Sequence, residues 1–163
     1  MTSLACFGML AWAGLLAAPD TFAEKRIIKT GQDMPDAAYL REHIREMEQM
    51  PFDGIAIDPI AEIEGKRHKI WLRWWAPEII PDSMLEDTIR DIRATQFVRF
   101  KDNFLWLSSQ SQHKPAPGWW EDEPFAAITA NMVLAARVAR DSGLKGILLD
   151  VEEYGGMAWS PYM

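Results

Sequence analysis

The feature that most constrains the fold is an alternation of short apolar or β-branched runs with segments of helical periodicity, repeated from Arg26 to Val151. Arg26-Ile27-Ile28-Lys29-Thr30 predicts a first strand, ended by Gly31. Asp33 is placed to cap the helix that follows, with Pro35 in its first turn. Leu40, Ile44 and Met47 recur at i, i+4, i+7 and give that helix one apolar face. Arg41, Glu42, Arg45, Glu46 and Glu48 cover the remaining surface, and Pro51 closes the helix. Phe52 to Pro59 reads as a second strand, nearly all apolar, as strands covered on both faces are. Ile70-Trp71-Leu72-Arg73-Trp74-Trp75 alternates with period two and predicts an extension or hairpin on this strand's C-terminal side.

Ser83-Met84-Leu85-Glu86 has capping-box spacing, and Leu85, Ile89 and Ile92 continue it as a second helix. Asn103 to Ser108 is a third strand, and Ser109 to Trp120, with Pro115, Pro117 and Gly118, is a loop. A third helix starts near Asp122 to Pro124 and runs through Phe125, Ile128, Met132, Ala135 and Val138 to Gly143. Lys145 to Val151 is a fourth strand. Helical connections without Asn-Gly or Asp-Gly turns imply a parallel sheet. The expected fold class is therefore α/β, built of parallel (β/α) units: the first half of a (β/α)8 TIM barrel, apparently truncated, since a full barrel takes about 250 residues. The alternative is a small doubly wound sheet of the flavodoxin or Rossmann type. Against it, Gly31-Gln32-Asp33-Met34-Pro35 after the first strand lacks a glycine-rich phosphate cradle.

From Leu4 to Ala18 there is no charged residue, and small residues follow at Ala17, Ala18 and Ala23. This pattern predicts a signal peptide over 1–23 cleaved after Ala23, leaving 24–163 as the partial barrel, secreted or periplasmic. The run is shorter than the ~20 apolar residues that span a bilayer, so no membrane attachment is expected after cleavage. Cys6, the only cysteine, leaves with the peptide. Disulfides, thiolate zinc sites and cysteine nucleophiles are then excluded from the mature chain. A net charge of −7 argues against a nucleic-acid partner, which requires a basic face.

Parallel α/β proteins place their sites at the C-terminal ends of strands. Asp33, Asp58, Ser108, and then Asp150, Glu152 and Glu153 stand at those ends. Asp150 and Glu152 are two apart on an extended chain, about 6.5 Å between Cα atoms and on the same side. Carboxylates that close raise each other's proton affinity, so one can act as a general acid while the other stays ionised, as glycoside hydrolysis requires. Glu152 and Asp150 are the expected catalytic pair. The structural alternative is a polar loop, a helix cap or a cation site. A second carboxylate for a retaining mechanism would lie on a later strand.

Eight tryptophans add to this, because the C–H faces of sugar rings pack on aromatic planes. Trp74, Trp75, Trp106, Trp119 and Trp120, with Asp33, Asp58 and Glu153, are the expected substrate-binding residues, although Trp106 lies in an apolar strand and suits a core equally. His43, His68 and His113 have no metal-ligand spacing, and no G-x-S-x-G elbow is present. No cofactor and no metal are expected. The expected partner is a carbohydrate substrate or glycan.

The run Gly146-Ile147-Leu148-Leu149-Asp150-Val151-Glu152-Glu153-Tyr154 resembles the fourth strand of the chitinase-type glycoside hydrolases, whose signature ends in Asp-x-Glu. The resemblance implies Glu152 as the acid that protonates the glycosidic oxygen, and Asp150 as the residue that positions the substrate's acetamido group as internal nucleophile. Leu148 stands where that motif has another Asp, Val151 replaces an aromatic residue, and Tyr154 comes one place late. More broadly, Lys25 to Tyr154 is similar to the first half of secreted bacterial proteins with a glycosidase-like barrel. Read without catalysis, the same features describe a carbohydrate-binding or scaffold protein, or an inactive fragment.

Overall fold

The computed structural model describes residues 25–31, 33–63, 65–70, 73–108 and 122–150. In chain order the elements are β1 (Ile28–Lys29), α1 (Ala37–Met47), β2 (Gly54–Ile57), β3 (Ile60–Ile63), β4 (Lys66–Lys69), α2 (Glu86–Ala94), β5 (Phe104–Ser108), α3 (Asp122–Asp141) and β6 (Gly146–Asp150). The protein is a mixed α/β chain around a parallel sheet of order β1-β2-β5-β6, beside a two-stranded sheet of β3 and β4. Each strand of the large sheet pairs with the one before it. Ile28 is in register with Gly54, Ile57 with Leu105, and Leu105 with Ile147.

Registered residues of parallel strands point to the same face, which places the helices. Ile55 and Ile57 cluster with Ala37, Leu40 and Ile44 of α1 and Ile92 of α2. Leu105 and Leu107 cluster with Leu134, Ala135, Val138 and Ala139 of α3. Because Ile57 and Leu105 are register partners, all three helices lie on one face of the sheet. Ala56, Asp58, Phe104, Trp106, Ser108, Leu148 and Asp150 alternate onto the other face.

Three local expectations change. The cap of α1 is Asp36, not Asp33: its Oδ1 lies 3.0 Å from the backbone nitrogens of Ala38 and Tyr39. The Asp33 carboxylate is taken instead by Lys29. Pro35 thus precedes the cap, and its carbonyl accepts the N–H of Asp58 at 3.0 Å, tying the start of α1 to the end of β2. Ser83 likewise caps nothing; it lies within a 3-10 turn, Asp82–Leu85, that leads into α2. The buried face of α3 is Ala127, Ile128, Asn131, Leu134, Ala135, Val138 and Ala139, while Phe125 is exposed and Met132 only half-buried.

The hairpin after β2 also forms earlier than its alternation suggests. Ile60 to Ile63 pairs antiparallel with Lys66 to Lys69, closing at Gly65, whose φ of +71° suits a residue without a Cβ. Ile70 and Trp74 are fully buried beyond it, in the cluster under α3. The segment from Arg73 to Ile80 is held there by Asn131. Among the described residues, no helix is long and apolar enough to cross a membrane. The expected signal segment 1–23 lies outside the described residues.

Candidate functional site at the C-terminal strand ends

On the face opposite α1, α2 and α3, β5 and β6 bring two expected residues into contact. Ser108 is in register with Asp150, one strand over. Trp106, two residues back on β5, donates its indole Nε1–H to Asp150 Oδ2 at 3.3 Å. Both side chains are half-buried, so an aromatic ring and a carboxylate share one accessible patch. Ser108 is buried beside them.

Asp58 extends β2 one residue past the Ile57–Leu105 register, level with Trp106 on the neighbouring strand. Its side chain is only 4% exposed, and Lys69 Nζ lies 2.9 Å from Oδ2. Asp58 Oδ1 is buried and has no hydrogen-bond partner among the described residues. Burial pushes the Asp58 carboxyl above the ordinary carboxylate range; the Lys69 ammonium works against this, and the neighbouring Asp36 carboxylate adds to it.

Lys69 and Arg67 alternate onto one face of β4 and meet two acids at the sheet edge. Arg67 Nη2 lies 2.6 Å from Asp36 Oδ1. Thr88 Oγ1 donates to the Ile60 carbonyl at 2.9 Å and fixes the base of the hairpin to α2. None of Asp36, Arg67 or Lys69 stands out as a site residue in the sequence. The available signal is the i, i+2 spacing of two cations on the second strand of the hairpin that follows Asp58.

The other expected site residues fall in different places. Trp74 is fully buried with Ile70, Leu85, Leu105 and Leu107, so it packs the core and presents no ring face to a ligand. Trp75 is half-buried against the same cluster. Alternation along Ile70 to Trp75 signalled an amphipathic strand, whereas the pair sits in a turn under α3. Asp33 is 81% exposed in the turn after β1, where the hydrogen bond and charge of Lys29 hold its carboxyl below the usual range. Glu152, Glu153, Trp119 and Trp120 lie outside the described residues, as does the loop from Ser109 to Trp120. Among the described residues, no group of three His, Cys, Asp or Glu side chains is arranged to hold a metal ion.

No family model, curated protein or solved structure matches the chain.

Proposed function

We propose that the chain contributes the first four strands of a (β/α)8 barrel that processes carbohydrate, in the manner of a glycoside hydrolase. The observation that carries this reading is the Trp106–Asp150 contact at the C-terminal strand ends. A half-exposed indole offers a plane for the C–H face of a pyranose, and a carboxylate at its rim can accept from ring hydroxyls. Strands in chain order, all parallel, with helices on one face, support the barrel. A doubly wound sheet reverses its order and carries helices on both faces.

In this proposal Glu152 donates a proton to the leaving glycosidic oxygen and Asp150 assists by charge or by orienting the substrate. Asp150 and Glu152 would then divide the acid and anionic roles of the reaction. The protein would be exported after cleavage at Ala23, and intact mass of the secreted product should give a chain beginning at Glu24.

The deciding measurement is hydrolysis of an aryl-glycoside panel by wild type, Glu152→Gln and Asp150→Asn, alongside glycan binding followed by tryptophan fluorescence. Glu152→Gln should lower kcat by at least about 10²-fold with little change in glycan affinity, and good leaving groups should recover part of the loss. Full activity in Glu152→Gln would remove it as the acid. Binding without turnover by wild type would leave a carbohydrate-binding module.

A further inference from the structure

The start of α1, the first turns of α2 and the β3–β4 hairpin enclose a cavity of about 220 Å³. Asp36, Arg67, Asp87, Arg90 and Asp91 line it, together with the apolar surface of Ala37, Ala38 and Ile60. The cavity lies at the C-terminal ends of the strands, because Asp36 forms a parallel bridge with Asp58 just past the end of β2. Neither Trp106 nor Asp150 takes part in it.

Every charge around this space is already compensated. Arg67 Nη2 lies 2.6 Å from Asp36 Oδ1, and Arg90 is held by Asp87. Arg41 Nη1 and Arg90 Nε reach Asp91 Oδ1 at 2.7 and 3.4 Å. Three carboxylates thus face three guanidiniums, so a ligand with a net charge is opposed by one set as much as it is drawn to the other. The N-terminus of α1 is closed to an anion as well, since Asp36 Oδ1 already takes the N–H groups of Ala38 and Tyr39.

Hydrogen-bonding capacity is nevertheless left over. The Asp91 side chain is only 9% exposed, and among the described residues its hydrogen bonds and ion pairs are made through Oδ1, as are those of Asp36. Each carboxylate therefore keeps Oδ2 as an acceptor, and an acceptor left unused at such burial is costly. Arg67 uses one guanidinium nitrogen on Asp36 and keeps further N–H groups to donate. We propose that this cavity binds a neutral polyhydroxylated ring, the size of one sugar unit, whose adjacent hydroxyls bridge the Asp36 and Asp91 carboxylates to the Arg67 and Arg90 guanidiniums. A hydroxyl both donates and accepts, so it fits between a carboxylate oxygen and a guanidinium N–H without disturbing the charge balance. Ala37, Ala38 and Ile60 offer apolar surface to the C–H bonds of the ring. The volume sets the size, because drug-sized ligands fill about 300–1,000 Å³ and this space is smaller. The inference goes beyond the reading above: it assigns a binding site and needs no bond to be cleaved.

The test follows backbone amide resonances of the isotopically labelled full chain during titration with methyl glucoside, methyl galactoside and methyl mannoside. Glucuronate and glucosamine serve as charged rings of the same kind. The titrations are repeated on Ala38→Leu, which fills the cavity from a half-buried position without touching an ion pair, and on Arg90→Gln, whose side chain is 64% exposed. Circular dichroism and the melting temperature verify that both variants fold, and if Ala38→Leu does not, Arg90→Gln decides. We expect at least one neutral glycoside to give saturable shifts at Ala37, Ala38, Thr88 and Asp91, both charged rings to bind at least tenfold more weakly, and each variant to lose at least tenfold. A cavity that holds only water gives no saturable shift at those amides with any neutral glycoside, and that result overturns the inference. Tighter binding of glucuronate or glucosamine overturns it too, as does unchanged affinity in the folded variants. Turnover of aryl-glycosides without shifts at the cavity would sink this inference and leave the hydrolase reading standing; saturable shifts at the cavity without any turnover would do the reverse.

Discussion

The side chain of Glu48, just past the end of α1, accepts a hydrogen bond from the backbone N–H of Phe100 at 3.0 Å, fifty-two positions along the chain. The same oxygen, Oε1, also accepts from Val98 and Arg99 at 2.7 Å each. Arg99 Nη1 returns a bond to the Glu48 carbonyl at 2.6 Å. One buried carboxylate thus organises the loop that delivers the chain into β5.

Glu48→Gln should cost about 1–2 kcal/mol, because three charge-assisted hydrogen bonds become neutral ones. Burial raises the Glu48 carboxyl, but the N–H groups of Phe100, Val98 and Arg99, aided by Arg45, outweigh it and leave its pKa below the ordinary 4.5. A lowered folded value means the stabilisation is present above 4.5 and fades as pH falls from there through the folded pKa. Urea midpoints of wild type and Glu48→Gln should therefore converge in acid. A constant gap from pH 7 to pH 3 would contradict the assigned role.

Asp58 should behave in the opposite sense. Its folded pKa is raised above 3.8, so the folded state holds the proton more tightly and burial of the charge weighs against folding once pH exceeds that raised value. Asp58→Asn removes the buried charge, and Lys69 is exposed enough to resolvate at little cost. The variant should be as stable as wild type or about 1 kcal/mol more stable at pH 7, with the difference vanishing below pH 3.8. Paired thermal melts at pH 7 and pH 3 check this; a large loss at neutral pH would show that the Lys69 pair outweighs burial.

Asn131 is fully buried in α3 and makes three hydrogen bonds to one segment. Its Oδ1 accepts from Ile80 N at 2.8 Å, and its Nδ2 donates to Glu78 O at 3.0 Å and Arg73 O at 3.3 Å. Asn131→Leu removes all three bonds and strips the buried Ile80 N–H of its acceptor, while Arg73 O keeps the Ala76 N–H at 3.1 Å, and should cost about 2–4 kcal/mol. It should also loosen the seat of Trp74. A red shift of tryptophan emission at native conditions is the expected spectroscopic sign; an unshifted spectrum with unchanged stability would mean the segment is held by packing alone.

At Gly54 the strand passes so close to its neighbour that an added Cβ would stand 1.8 Å from the Asp102 carbonyl oxygen. Lys101 N and Asp102 N both donate to Asp53 O, at 2.7 and 3.2 Å, and lock this approach. Gly54→Ala should therefore destabilise by at least about 3 kcal/mol, since the backbone itself must move. Equilibrium unfolding of the variant measures this directly, and a loss below 1 kcal/mol would show that β2 can separate from Asp102 at little cost.

What the sequence revealed follows from which physical signals are local. β2, β5 and β6 were legible within a residue or two because continuous apolar runs mark strands, and Leu40 and Ile44 marked the buried side of α1 correctly. Asn131 and Glu48 were illegible for one shared reason: a polar side chain on a helix reads as solvated unless its partner is known, and both partners lie about fifty positions away. Trp74 was misassigned because period-two alternation was taken for a strand, when the strand-forming residues were the charged ones just before it. At the site, Asp58 and Asp150 were expected at strand ends and stand there, and Trp106, read as lying inside its strand, is the middle residue of β5; the pairing of Arg67 and Lys69 with acids in other elements left no such signal.

The consecutive strand order has a consequence for how the chain is made. Gly54 docks beside Ile28, Phe104 beside Ala56 and Gly146 beside Phe104, so every strand of the large sheet finds its partner already synthesised. None must be inserted between two strands already in place. A ribosome releasing this chain can thus extend the sheet one strand at a time, with the single growing edge always on the most recent strand. Through synthesis that edge is the surface a chaperone or a misfolding neighbour meets first, and its position moves outward with each helix that closes behind it.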